Sequence, residues 1–120
     1  MEVPVLKQGP FLIATVQAAL TDDDLIQLRA AMIQRVVTSR SQGVIIDVTS
    51  MDVMDSFASR TLREIAQMIR LRGAETVIVG IQPEVAFAMV QLGISLEGVV
   101  TALDLEEGLA YLNHMVKGET

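Results

Sequence analysis

The sequence predicts an α/β fold: one domain over residues 1–120, with a mixed four- to five-stranded sheet and about four helices. Three observations carry this. Two short β-branched runs, "VIIDV" (44–48) and "ETVIVGI" (75–81), show no polar alternation, as expected of strands covered on both faces. Stretches with apolar residues at helical spacing lie before, between and after them. Gly, Pro and clusters of Asp, Ser and Thr mark the boundaries. Alternation of this kind builds layers, with right-handed crossovers between parallel strands.

Taken in order, "VPVLKQGPFLIATVQ" reads as two strands, around 3–6 and 11–16, joined by a turn at 7–10. Gly9 supplies turn freedom there and Pro10 excludes a helix. Thr21 and Asp24 stand at capping-box spacing, with Asp where Glu or Gln is usual, and the acidic first turn suits a helix dipole. Leu25, Leu28, Met32 and Val36, flanked by Ile26, Ile33 and Val37, predict one broad buried face. Gly43 is expected to end the connection to the buried strand at 44–48. From Ser56 to Leu71, a stripe of Ala58, Leu62, Ile65, Ala66 and Ile69 faces away from Arg60, Arg63, Glu64, Gln67 and Arg70, and Gly73 terminates the helix. After the strand at 75–81, Pro83 opens a short helix that Gly93 stops. A weak strand near 99–101 precedes a last helix capped by Asp104, with Glu107 three residues on. Its Leu105, Leu109, Leu112 and Val116 are expected to face the core.

Composition excludes several function classes. A hydrophobic fraction of 51% against 20% charged residues belongs to a folded chain with an adequate core. No apolar run reaches the roughly 18 residues of a membrane span, and the N-terminus lacks the basic-then-apolar order of a signal peptide. The net charge of −6, three Phe, one Tyr and no Trp argue against nucleic acid, which needs clustered bases and stacking platforms. Zero cysteines exclude disulfides and thiolate chemistry and are compatible with a reducing cytoplasm. The seven methionines read mainly as core gap-fillers.

Catalytic signals are absent. There is no phosphate-cradling or dinucleotide-binding glycine motif. The single histidine, His114, reads as a solvated helical residue, and one histidine without cysteine is a poor zinc set. A receiver-type phosphoaspartate domain would want an acidic pair after its first strand and a lysine after its last. The chain has "KQGP" there, and only Lys7 and Lys117. One constellation survives: Asp47 at a strand end, then Asp52, Asp55 and Ser56 in "TSMDVMDSF" (49–57). The carboxyl ends of strands are where open α/β sheets place their sites. Two readings stay open for the carboxylates. Asp47 and Asp52 bond to turn amides, or the Asp47–Asp52–Ser56 corner holds magnesium with a nucleotide. Ser56 is read as the cap of the following helix, displayed on the surface.

The stretch "VIIDVTSMDVMDSFASRTLREI" (44–65) resembles the anti-sigma-factor-antagonist domain of SpoIIAA-like proteins and sulfate-transporter tails, the STAS domain. Asp47, Asp55 and Ser56 match that family's strand-end aspartate and Asp-Ser step, and the alternation of elements matches over essentially the whole chain. Together with "GIQPEVAFAMVQLGISLEGVVTALDLEEGL" (80–109), the stretch is most similar to the RsbS-like stressosome branch. Phe57 stands where single-domain antagonists have a second serine. Ser56 stands where RsbR-type paralogues tend to have threonine, and the chain is too short for their additional sensor domain.

The resemblance implies a cytoplasmic phosphoprotein with no cofactor, metal or catalytic residue of its own. Ser56 is the implied phosphate acceptor and Ser59 the secondary candidate. Met54, Asp55, Phe57 and Arg60 are expected to face a partner, with Asp47 and Asp52 as a structural acidic corner. The implied partners are an RsbT-like serine kinase, RsbR-like paralogues, a resetting phosphatase and a second copy of the chain, within a large assembly. A stand-alone regulator of a transporter, differing only in partner, stays open.

Overall fold

β1 (Val5–Gln8) and β2 (Phe11–Thr15) form an antiparallel hairpin whose register, Val5 opposite Ala14 through Gln8 opposite Phe11, leaves only Gly9 and Pro10 to turn. The tight turn is possible because Gly9 adopts a positive φ of 60°. Lys7 and Gln8 are therefore strand residues, where the sequence pattern suggested loop. The computed structural model describes residues 3–17 and 20–117, so both ends of the expected 1–120 span lie outside the described residues.

The remaining elements alternate: α1 (Asp22–Ser39), β3 (Gly43–Asp47), α2 (Ser56–Leu71), β4 (Glu75–Val79), α3 (Pro83–Leu92), β5 (Val100–Ala102) and α4 (Leu105–Val116). The five strands form one sheet in the order β1-β2-β3-β4-β5, parallel from β2 onward. This is the mixed sheet with four helices that the pattern of runs predicted.

The unalternated runs are explained by the two layers they separate. Val44, Ile46 and Ile78 point to the larger core with α1 and α2 residues such as Leu28, Met32, Leu62 and Ile65. Ile45, Val77 and Val79 point the other way, to a smaller cluster closed by Leu112 of α4. Successive strand residues face opposite sides, so a strand covered twice is apolar at nearly every position, with buried Thr76 of β4 as the polar exception.

Two expected details differ. On α1, Leu25, Leu28, Met32 and Val36 are buried, but Ile26 and Val37 are exposed, because the contact with the sheet and α2 is one stripe wide. Arg40 caps the end of α1 in the left-handed region at φ 51°, and Gly43, the first residue of β3, ends the connection as expected. On α4, contact centres on Gly108 and Leu112, while Leu105 and Val116 are exposed. A Cβ on Gly108 would lie 2.7 Å from Val79 Cγ1, and one on Gly43 would lie 2.9 Å from Leu112. The two glycines let α4 approach the sheet closely, which moves the buried line off the leucine stripe.

Candidate functional site

The site is the corner where β3 passes into α2 at the carboxyl edge of the parallel strands. Asp47 closes β3, and its Oδ1 accepts hydrogen bonds from Thr49 N at 2.9 Å and Thr49 Oγ1 at 2.6 Å. That is a turn-forming role for Asp47. The neighbouring β4–α3 connection holds the same turn. Gln82 Nε2 donates to Thr49 O at 2.6 Å, and Gly80, at φ 84°, leaves no room for a Cβ against Thr49 Oγ1.

Beyond Thr49 the loop is pinned by two methionines. Met51 and Met54 are buried in the larger core, whereas Asp52 and Val53 between them are exposed, Val53 at 70%. Met54 was expected on the surface. Its flexible thioether instead fills the gap beneath the loop, and Val53 presents the apolar surface there. The three-residue spacing of the methionines was the only cue in the sequence. Among the described residues no three Asp, Glu, His or Cys side chains converge as a cation site, so Asp47, Asp52 and Asp55 do not form one cluster.

Helix α2 begins differently from expectation. Asp55, with extended backbone at φ −88°, is its cap: Oδ1 accepts from Ala58 N at 2.8 Å. Ser56 is the first helical residue, one place inside the cap. A carboxylate at the N-terminus satisfies an orphan amide and also meets the positive end of the dipole, and the extended backbone at residue 55 gives the role to Asp55. The Ser56 hydroxyl is left exposed, with no hydrogen bond among the described residues.

The next hydroxyls along the helix turn inward. Ser59 is 2% exposed and donates to Ser56 O at 3.1 Å. Thr61 is buried and donates to Phe57 O at 2.8 Å. Phe57 is half-buried against the larger core, and the exposed Arg60 sets its guanidinium 5.7 Å from the Phe57 ring centroid.

Ser56 also borders a groove of about 410 Å³ between this loop and α3, with Val53, Met54, Val85, Ala88 and Leu92 among its lining residues. Three carboxylates, Asp52, Asp55 and Glu84, share the rim. Helix α3 also carries exposed Phe87 and Val90, which are not among the residues that line the groove. Sequence reasoning passed over this face. Its signal was a short helix, "PEVAFAMVQL", apolar on nearly every side. His114 is exposed in the last turn of α4, remote from the loop in sequence.

A family model of the STAS domain matches residues 2–107. The chain belongs to the STAS-domain family. Among curated relatives, the STAS chain is 37% identical over 78 residues to the RsbT co-antagonist protein RsbRA of Bacillus subtilis, covering 65% of this chain and 28% of RsbRA. It thus spans about a quarter of the length of the curated relatives it matches. Among solved structures it is similar to a serine-to-glutamate variant of RsbS from Moorella thermoacetica. There the TM-score is 0.83 at 31% identity, with 98% of this chain and 99% of that one covered. A chain from a structure of the stressosome, described as a signal integration and transduction hub, gives TM-score 0.79 at 32% identity, covering 95% and 99%. No helix of the described residues is long and apolar enough to cross a membrane.

Proposed function

We propose that this STAS chain is a phosphorylatable scaffold and antagonist in a bacterial stress-signalling complex of the stressosome type. It binds and sequesters an RsbT-like serine kinase in the cytoplasm and releases it when Ser56 is phosphorylated. The observation that carries this reading is the exposed, unbonded Ser56 hydroxyl at a rigid strand-to-helix corner, with the hydroxyls of Ser59 and Thr61 turned inward. The likeness to RsbS over nearly the full length of both chains supports it. The RsbT co-antagonist relatives and the stressosome chain support association with RsbR-type paralogues and further copies of this chain.

The physical effect of phosphorylation is local. A phosphate brings about −1.5 to −2 charge and three acceptor oxygens to the first turn of α2. The helix N-terminus and Arg60 favour that charge, while Asp55 and Asp52 oppose it. Because the fold does not use the Ser56 hydroxyl, modification leaves the fold in place and changes the surface a partner meets. A dianion beside Val53 and Phe57 faces a partner that had packed against a small neutral group. Burying it unpaired costs the complex several kcal/mol, on the order of 2–5. A phosphatase resets the surface.

Incubation with the cognate kinase and ATP, followed by phosphopeptide mapping, tests the assignment. Phosphate on Ser56 is expected, and a Ser56→Ala chain remains unlabelled. Labelling confined to Ser59 or Ser39 refutes it.

A further inference from the structure

Arg60 is placed to respond to the state of Ser56. It lies four residues after Ser56 and three after Phe57, so one helix face carries all three side chains. Among the described residues its guanidinium makes no ion pair. Glu64, the carboxylate one turn further on, is paired with Arg29 at 2.5 Å. Asp55, at the start of the same turn, is engaged with Ala58 N. What holds Arg60 is the face of the Phe57 ring, 5.7 Å from its centroid.

A cation over the open face of a half-buried ring at the surface is a weak contact. An arginine–phosphate pair makes two parallel charge-assisted hydrogen bonds, each roughly twice as strong as a neutral one. An anion four residues N-terminal to a cation is also the favoured order on a helix. The difference in strength decides which partner Arg60 takes.

Resting on the reading of Ser56 as phosphate acceptor, we propose that Arg60 is a switching residue: phosphate on Ser56 draws its guanidinium off the Phe57 ring, and the outer face of that ring is uncovered. Phosphorylation then has two outputs at one corner. It adds a dianion whose charge Arg60 partly neutralises, and it exposes an aromatic face that the unmodified protein covers. The chemistry of a partner that reads the modified form follows: an apolar contact on the ring rather than a cluster of basic residues on the phosphate.

The test uses protein carrying phosphoserine at position 56 installed during synthesis, so no kinase is involved. Phosphorus NMR titration should place the second phosphate pKa about 0.3 pH units lower in otherwise native protein than in the Arg60→Met variant. That is a twofold weaker hold on the proton, and Arg60→Lys should recover part of it. Installing the phosphate should also shift the Arg60 Nε resonance and the Phe57 ring resonances, the latter by clearly less in Arg60→Met, where only the direct effect of the adjacent phosphate is left. An unchanged phosphate titration in Arg60→Met, or unmoved Arg60 and Phe57 resonances, overturns the switch. If the kinase labels Ser56 while these signals stay silent, the Arg60 role alone falls. If the kinase ignores Ser56 while they respond, the phosphorylation reading falls instead.

Discussion

Helices α1 and α2 begin with the same two kinds of side chain, a hydroxyl and a carboxylate, and use them in opposite ways. At α1, Thr21 is the cap: its Oγ1 accepts from Asp24 N at 3.0 Å, and the Asp24 carboxylate accepts from Thr21 N at 3.0 Å. Hydroxyl and carboxylate are both engaged in holding the helix start. At α2 the carboxylate comes first. Asp55 caps, and Ser56, one position later, holds a hydroxyl that the fold does not use. A one-residue change in order separates a structural hydroxyl from one another protein can reach. Both places offer a hydroxyl and a carboxylate; position relative to the cap makes the difference.

The comparison can be tested from its strongest consequence downward. Ser56→Asp should weaken kinase binding at least about tenfold, roughly 1.4 kcal/mol, while far-ultraviolet circular dichroism stays native. Unchanged affinity in a titration would place the switch elsewhere. Next in size, Thr21→Ala should cost about 1–2 kcal/mol in urea denaturation, because it removes the hydroxyl half of a reciprocal capping box and takes that acceptor from the Asp24 backbone N–H. Asp55→Ala should cost about 1 kcal/mol by the same assay and leave Ser56 open to the kinase. Exchanging the pair, Asp55→Ser with Ser56→Asp, should keep a competent cap and so hold stability within about 0.5 kcal/mol of native. The same double variant should lose labelling at position 56. The smallest effect belongs to Ser56→Ala alone. Its stability should stay within about 0.5 kcal/mol of native, since no bond is lost. A loss of 1 kcal/mol or more there would show that Ser56, rather than Asp55, carries the cap.

The central strands and the last helix show where the sequence was readable and where it was not. Val44–Val48 and Glu75–Ile81 announced doubly covered strands because burial on both faces leaves apolar residues in the middle of each run without a polar alternation. Ser56–Leu71 was readable as a helix, since its apolar stripe and Gly73 agree on one, but the cap was read one residue late, at Ser56 instead of Asp55. The line of contact on α4 was not readable. Leucine spacing pointed to Leu105 and Val116, but Gly108 lets the helix settle closer to Val79 along another line. Close approach depends on what lies opposite, and that partner is remote in the chain. Met54 was misjudged for the same reason: a thioether next to two aspartates looks exposed until the core beneath the loop is known.

By itself the sequence determined the order of elements, the layered sheet, the Asp-Ser step at a strand-to-helix corner and the STAS likeness that gives that step meaning. Those features are local or periodic, and local propensity and period-matching survive without knowledge of neighbours. Only the tertiary structure decided which residue of the step is the cap and which is free, because both can accept an amide hydrogen bond and only backbone geometry at residue 55 selects one. It also buried Ser59 and left Arg60 on the open side of α2: helical spacing brings Arg60 to Phe57 and Ser59 to Ser56 O, but how α2 packs against its neighbours decides which of these side chains meets solvent.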